Sequence, residues 1–227
     1  MGRPDPVPIS DPAVERAIQL QLQSDPPFTE QDLAAVEALA VLSATDIIDV
    51  PRLTGLRVLR LIGYGGRDLK PLAGMPITVL EVKVSAVSDL TVIAELPKLR
   101  RLRARNNAIA ELDVLATDER DFRELDLTGN PLSDRAYHEV VPGLRERLPH
   151  LRVSGLREWR LTRRLHAVGL PFDYYRDSGG YWLCRPGLEH TAYPDADHLK
   201  IEPDELEELL DRDPSEIPGL FPVYDTS

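Results

Sequence analysis

One spacing of apolar residues recurs through the middle of this 227-residue chain and decides what it can fold into. In Leu99-x-x-Leu102-x-Ala104-x-x-Asn107-x-Ile109-x-x-Leu112-x-x-Leu115 the apolar side chains fall at fixed offsets. Phe122-x-x-Leu125-x-Leu127-x-x-Asn130-x-Leu132 repeats them 23 residues later. Ile77, Leu80, Val82, Val87, Leu90 and Ile93 hold the same slots one copy earlier, and Leu56, Leu59, Leu61, Leu69 and Leu72 the copy before that. A degenerate first copy runs through Val36, Leu39, Val41, Ile47, Val50 and Leu53. A unit of 20 to 23 residues cannot bury its apolar face alone, so the copies must stack into a solenoid. Such a stack builds an extended binding face and usually no catalytic site.

Each L-x-L segment is expected to be a short strand, the strands lying parallel on the concave side. Side chains alternate along a strand, so the leucine pair points inward and its neighbours into the concavity. Five rows follow: Ala38, Ala40 and Leu42; Val58, Arg60 and Ile62; Val79, Glu81 and Lys83; Arg101, Arg103 and Arg105; Glu124, Asp126 and Thr128. The face grades from apolar, through three arginines, to acidic. Strands about 4.8 Å apart let Glu81, Glu124 and Asp126 pair with the arginines, and this self-neutralised ladder is the favoured reading. In the alternative the arginines grip an acidic peptide or a carboxylate, while Leu42, Val58 and Ile62 anchor the rest of a partner. Asn107 and Asn130 occupy the slot where Asn joins neighbouring coils; Ala44, Tyr64 and Ser85 fill it elsewhere. Tyr64 is expected in the core.

An open-ended stack exposes its apolar edges, so both ends need caps. Residues 1–10 are Pro-rich and expected to be poorly ordered. Asp11 is a candidate N-cap with Pro12 at the first helical position of a helix to Leu22, and Thr29-Glu30-Gln31-Asp32 opens a second. Pro131 to Val153 is expected to form a closing turn and helix that lays Val140, Val141, Leu144 and Leu148 on the last coil. The stretch from Asp11 to Leu39, the half-repeats DLKPLAGM and DLTVIAEL, and NPLSDRAYHEVVPGLRERLPHLRV resemble bacterial leucine-rich repeat proteins of the internalin-like, 22-residue class. The resemblance covers residues 11–153 and implies an α/β leucine-rich repeat solenoid that binds another protein. Without the secretion signal, wall-sorting tail or immunoglobulin-like region of internalins, surface adhesion is not expected to carry over. Three parts are therefore expected: 1–35, a disordered start and helical cap; 36–153, the repeats with their closing cap; 154–227, a small α+β appendage with an acidic tail.

In the appendage, Leu156 to Val168 reads as a helix with Leu156, Trp159, Leu161 and Leu165 apolar. Phe172–Arg176 and Tyr181–Arg185 read as a hairpin closed at Asp177-Ser178-Gly179-Gly180, and an acidic helix starts near Pro203. Trp159 and Trp182 are expected in the core of this appendage. The net charge of −11 argues against nucleic acid or an anionic membrane as partner, since both need clustered Lys and Arg. No run approaches the roughly 18 apolar residues of a membrane span, the N-terminus has no signal-peptide core, and the lone Cys184 makes no internal disulfide; a cytoplasmic protein is the expectation.

Chemistry is sparse. Asp195, Asp197 and His198 are a weak divalent-cation candidate, with a solvated acidic loop the favoured reading. Cys184 with His190 or His166 offers a thiol pair, against a plain buried cysteine. No catalytic residue, cofactor or metal is expected. The expected role is a non-enzymatic protein-binding scaffold. Two rivals remain: a small-molecule or enzymatic appendage holding an anion with Tyr175, Arg176, Tyr181 and Arg185, and an immunity or accessory protein whose acidic tail (net −10 over residues 187–227) neutralises a basic partner.

Overall fold

The computed structural model describes residues 6–222. Six parallel strands lie side by side in chain order: β1 (Ala38–Leu42), β2 (Val58–Ile62), β3 (Val79–Lys83), β4 (Arg101–Arg103), β5 (Glu124–Asp126) and β6 (Leu151–Arg152). The register puts equivalent residues shoulder to shoulder. Leu39, Leu59, Leu80, Leu102, Leu125 and Leu151 form one column of the core, and Val41, Leu61 and Val82 a second. The far side of each coil returns through short 3-10 turns at Val50–Arg52, Lys70–Leu72 and Thr91–Glu95, replaced in the fourth coil by a single helical turn at Asp113–Ala116. Buried Val50, Leu72, Ile93 and Leu115 line that side.

A turn follows each of the first five strands, and it uses the same backbone trick each time. Ser43, Gly63, Val84, Asn106 and Gly129 all have positive φ, between 45° and 73°. Glycine and asparagine accept this left-handed conformation readily; a β-branched residue such as Val84 does not. The next residue is the slot that joins coils. There Asn130 donates to the Ala104 and Leu127 carbonyls and accepts from the Ile109 amide, and Asn107 donates to Val82 and Arg105 carbonyls. Ser85 does a smaller version, accepting from the Tyr64 amide and donating to the Lys83 carbonyl. Tyr64 is in the core, as expected.

Helix α1 (Pro12–Leu22) buries Val14, Ala17 and Ile18 against the first coil. Its N-cap Asp11 does two jobs. One carboxylate oxygen accepts from the Ala13 and Val14 amides, and the other from the Thr45 hydroxyl and the Thr45 and Asp46 amides of the first repeat. Helix α2 (Glu30–Ala34) carries the expected reciprocal cap between Thr29 and Asp32. The expectation of a poorly ordered start fails for residues 6–10: Val7 is buried and its amide donates to the Phe28 carbonyl, while the Ser10 amide donates to Asp49. Residues 1–5 lie outside the described region.

At the other end one turn of wide helix (Ala136–Val140) leads into a helix at Val141–Arg147, whose Val141 and Leu144 close the core with Leu148. The closing segment is more than a turn and helix, because β6 adds a sixth strand beyond it. Helix α5 (Leu156–Ala167, numbered after the helical turn at Asp113–Ala116 and the helix at Val141–Arg147 as α3 and α4) then packs on the array. Trp159 corrects the expectation of an appendage core: it is 1% exposed within the core of the array. Its indole N–H donates to the Leu132 carbonyl at 2.8 Å and its ring stacks on Tyr137, centroids 3.9 Å apart. The core thus crosses the expected boundary at residue 153.

A second core lies behind α5. Leu161 and Leu165 pack with Phe172, Tyr174, Leu183, Leu206 and Leu210. These come from a three-stranded antiparallel sheet, β7 (Asp173–Asp177), β8 (Gly180–Cys184) and β9 (His198–Lys200), and from helix α6 (Pro203–Arg212). Strand β9 begins at His198, so Asp195 and Asp197 lie in the loop and turn ahead of it, as read in sequence. Trp182 is also corrected: it is half-buried, donating its indole N–H to Asp177 at the hairpin turn.

Candidate protein-binding face

The concave rows fall in the register expected of them, from Ala38, Val58, Val79, Arg101 and Glu124 through Ala40, Arg60, Glu81, Arg103 and Asp126. The sheet backbone is a rigid floor, so charge and exposure decide what each row presents.

Its charged centre is a network. Arg103 grips Glu124 with two hydrogen bonds of 2.7 and 2.9 Å, and lies 3.7 Å from Glu81. The bond from Arg103 holds the Glu124 carboxyl below its ordinary range, and the same bond raises the guanidinium. Arg105 donates twice to Asp126, at 2.8 and 2.5 Å, and Thr128 adds its hydroxyl at 2.8 Å. Burial alone would push the fully buried Asp126 up; hydrogen bonds from Arg105 and Thr128 outweigh it and hold the carboxyl down. Glu81, buried between strands, pairs with Arg60 at 3.3 Å and with Lys83. Most of the arginine ladder is therefore neutralised by its neighbours.

One part of the face is covered from within. The appendage folds back over the ends of β3 and β4, where Glu189, after β8, pairs with Lys83 at 3.2 Å and Asp173, at the start of β7, accepts from Asn106 at 2.5 Å. Burial would lower Lys83, but Glu81 and Glu189 together hold it above the usual lysine range. His190 stacks on Tyr175 with centroids 4.3 Å apart, and burial holds its imidazole below the usual histidine value. Lys83, expected on an open face, is thus part of the joint with the appendage, and Asp126, expected on the same face, is fully buried.

The other end is open. Leu42 is 63% exposed, with Ala40 and Arg60 exposed beside it and Val58 and Ile62 half-buried. Among the described residues, the N-terminal segment leaves Leu42 uncovered. Arg101 is exposed at the far edge of β4, where it meets Arg123, His150 and Arg152 around a cleft of about 560 Å³. Sequence reasoning missed these last three. Arg152 follows from the spacing Leu151-x-Val153, which repeats the strand pattern, but Leu151 comes 26 residues after its counterpart Leu125 rather than 20 to 23.

The appendage does not assemble the other chemistry considered. Arg176 lies over the Tyr181 ring, Arg185 lies over Phe221 and 3.2 Å from Asp197, and the Tyr175 hydroxyl donates to the Thr191 carbonyl, so the four hairpin residues do not converge. Asp195 meets His198 at 2.9 Å while Asp197 turns to Arg185, and among the described residues no three His, Cys, Asp or Glu side chains cluster for a metal. Cys184 is buried against the Arg185 and Leu188 carbonyls, and burial pushes its thiol up to about 12. The acidic helix is tied down by α5, through Arg157 to Asp204 and Arg164 to Asp211 at 2.5 Å.

A capped stack of parallel L-x-L strands with Asn-joined coils defines a leucine-rich repeat array. Solved structures place it more closely. An internalin (inlF) from Listeria monocytogenes superimposes with a TM-score of 0.52 at 21% identity, covering 68% of this chain and 47% of its own. An internalin C2 (inlC2) from the same organism gives 0.42 at 20% identity, over 63% and 93% of the two chains. The fold is that of an internalin-like leucine-rich repeat protein, and the chain spans about half the length of the first of these structures. No protein-family model matches the chain, and no curated protein matches it in sequence.

Proposed function

We propose that this chain is a non-enzymatic protein-binding scaffold that meets its partner with the open half of the concave sheet. The observation that carries the reading is the apolar end of that face. Leu42, 63% exposed, sits with Ala40, Val58 and Ile62 on a floor of hydrogen-bonded strands, flanked by the exposed guanidinium of Arg60. Apolar side chains held rigidly beside arginine lose little entropy on binding and match the composition of protein hot spots. The internalin-like fold supports the reading, since a capped array presents one extended surface. The acidic net charge of −11 weighs against nucleic acid as the partner. No helix among the described residues is long and apolar enough to cross a membrane.

A photoreactive residue tests this. Placed at Leu42, it should crosslink one partner in the native host; placed at Glu95, on the convex turn, it should not. Leu42→Asp should abolish the crosslink made from position 62. Equal crosslinking from both sides of the solenoid, or a partner indifferent to Leu42→Asp, would overturn the proposal.

A further inference from the structure

The cleft at the C-terminal end of the concave sheet is lined by Arg101, Arg103, Arg123, Glu124, His150 and Arg152. Four guanidinium groups face one carboxylate there, on a chain whose net charge is −11. That one carboxylate is taken, since Arg103 holds both oxygens of Glu124. Elsewhere on the sheet each cation is paired: Arg60 and Lys83 share Glu81, Lys83 also meets Glu189, and Arg105 has Asp126. Arg101 and Arg123 have no ion pair among the described residues, and Arg152 reaches only the edge of Asp126, at 3.8 Å. All three are exposed. Like charges gathered on adjacent strands repel one another, and no ion pair among the described residues relieves Arg101 or Arg123.

We infer that this cleft binds an acidic segment of an extended polypeptide, with Arg101, Arg123 and Arg152 gripping its carboxylates. The inference rests on the concave face being the contact surface and assigns the chemistry of the end farthest from Leu42. The molecule already shows how this face treats an acidic side chain: Glu189 reaches across from the appendage to Lys83. Spacing supports a peptide. Arg101 on β4 and Arg152 on β6 stand two strand spacings apart and two residues out of register, roughly 12 Å in all. Alternate side chains of an extended chain project the same way about 7 Å apart, so a Glu-x-Glu pattern lies within reach of two flexible arginines. Planar guanidinium forks suit carboxylates in two-point contact. A nucleic acid is disfavoured, because Glu124 lines the cleft, Glu81 lies 3.7 Å from Arg103, and no Phe, Tyr or Trp lines it to stack a base.

The test uses the full chain and a fluorescein-labelled peptide of alternating Glu and Ala, read by anisotropy. Saturable binding is expected that weakens as salt rises from about 50 to about 300 mM. The triple variant Arg101→Gln, Arg123→Gln, Arg152→Gln should bind roughly tenfold more weakly or worse, with its thermal melt unchanged, and a Lys-Ala peptide should not bind. No saturable binding, or a smaller loss in the triple variant, overturns the inference. So does tighter binding of a single-stranded RNA oligomer or of phosphatidylserine vesicles than of the peptide. If the crosslink through Leu42 persists while no acidic peptide binds, this inference fails alone and the scaffold reading stands.

Discussion

Replacing Trp159 by alanine tests whether the appendage is part of the array's closure. The side chain is 1% exposed, so its removal opens a cavity against Tyr137 and the last coil. Large-to-small changes of this kind cost about 3–5 kcal/mol. Loss of the 2.8 Å indole bond leaves the Leu132 carbonyl without that donor, for about 1 kcal/mol more. The total, about 4–6 kcal/mol, is a large share of the roughly 5–15 kcal/mol that holds a whole domain together. Trp159→Phe keeps most of the apolar area and the stack but loses the donor, so it should cost about 1–2 kcal/mol. Urea unfolding followed by far-UV circular dichroism gives both values. Ending the chain after Val153 removes the same indole and should destabilise the array comparably. The reasoning is refuted if Trp159→Ala costs less than about 1 kcal/mol, or if it melts the appendage alone and leaves the array's transition where it was.

Val84 holds a left-handed backbone at φ 45°, so Val84→Asn should stabilise the chain by about 1 kcal/mol, raising the melting temperature by roughly 2–4 °C; a lower value counts against the strain. Asp126 titrates below its unfolded value, so its share of stability is present above the ordinary carboxylate range and disappears as pH falls through the folded pKa. Arg105→Gln removes the partner that holds it down, and acid unfolding monitored by circular dichroism should then begin at higher pH than in the parent chain. Cys184 should ignore a thiol reagent such as iodoacetamide in the native state, with its buried thiol pushed up to about 12, and react only once urea unfolds it. Labelling of the native protein at a rate like that of a free thiol would contradict the burial.

The repeat strands were legible because a solenoid is periodic. Each slot from Leu39 to Leu125 is filled by the same kind of residue, and alternation then dictates which neighbours face the concavity. The caps were legible for a different reason, since Asp11, Thr29 and Asp32 are residues whose side chains satisfy free helix amides. Strand β6 was hidden because the helix at Val141–Arg147 is inserted ahead of it and stretches the interval, which also hid Arg152. Trp159 misled because α5 has two buried sides: Leu161 and Leu165 face the second core, and the indole faces the first. A single helical pattern cannot say which core a residue joins. The contacts of Glu189 with Lys83 and of Asp173 with Asn106 had no signal at all. They join distant parts of the chain, and no spacing within either part encodes them.

Those two contacts change the mechanics of the whole. In a plain solenoid each coil feels only the coil on either side, so a weak coil can fray without troubling its second neighbours, and unfolding can spread in steps from an end. Here the appendage touches the third coil through Lys83, the fourth through Asn106 and the fifth through Trp159 and Leu132, all from one folded body. It acts as a strut laid along a row of plates. Coils spanned by the strut are coupled to one another through it, whereas the first coil is held by the helical cap. The molecule therefore has one end braced by the appendage and one closed by the helical cap, and the exposed Leu42 and half-buried Ile62 lie at the second, clear of the strut.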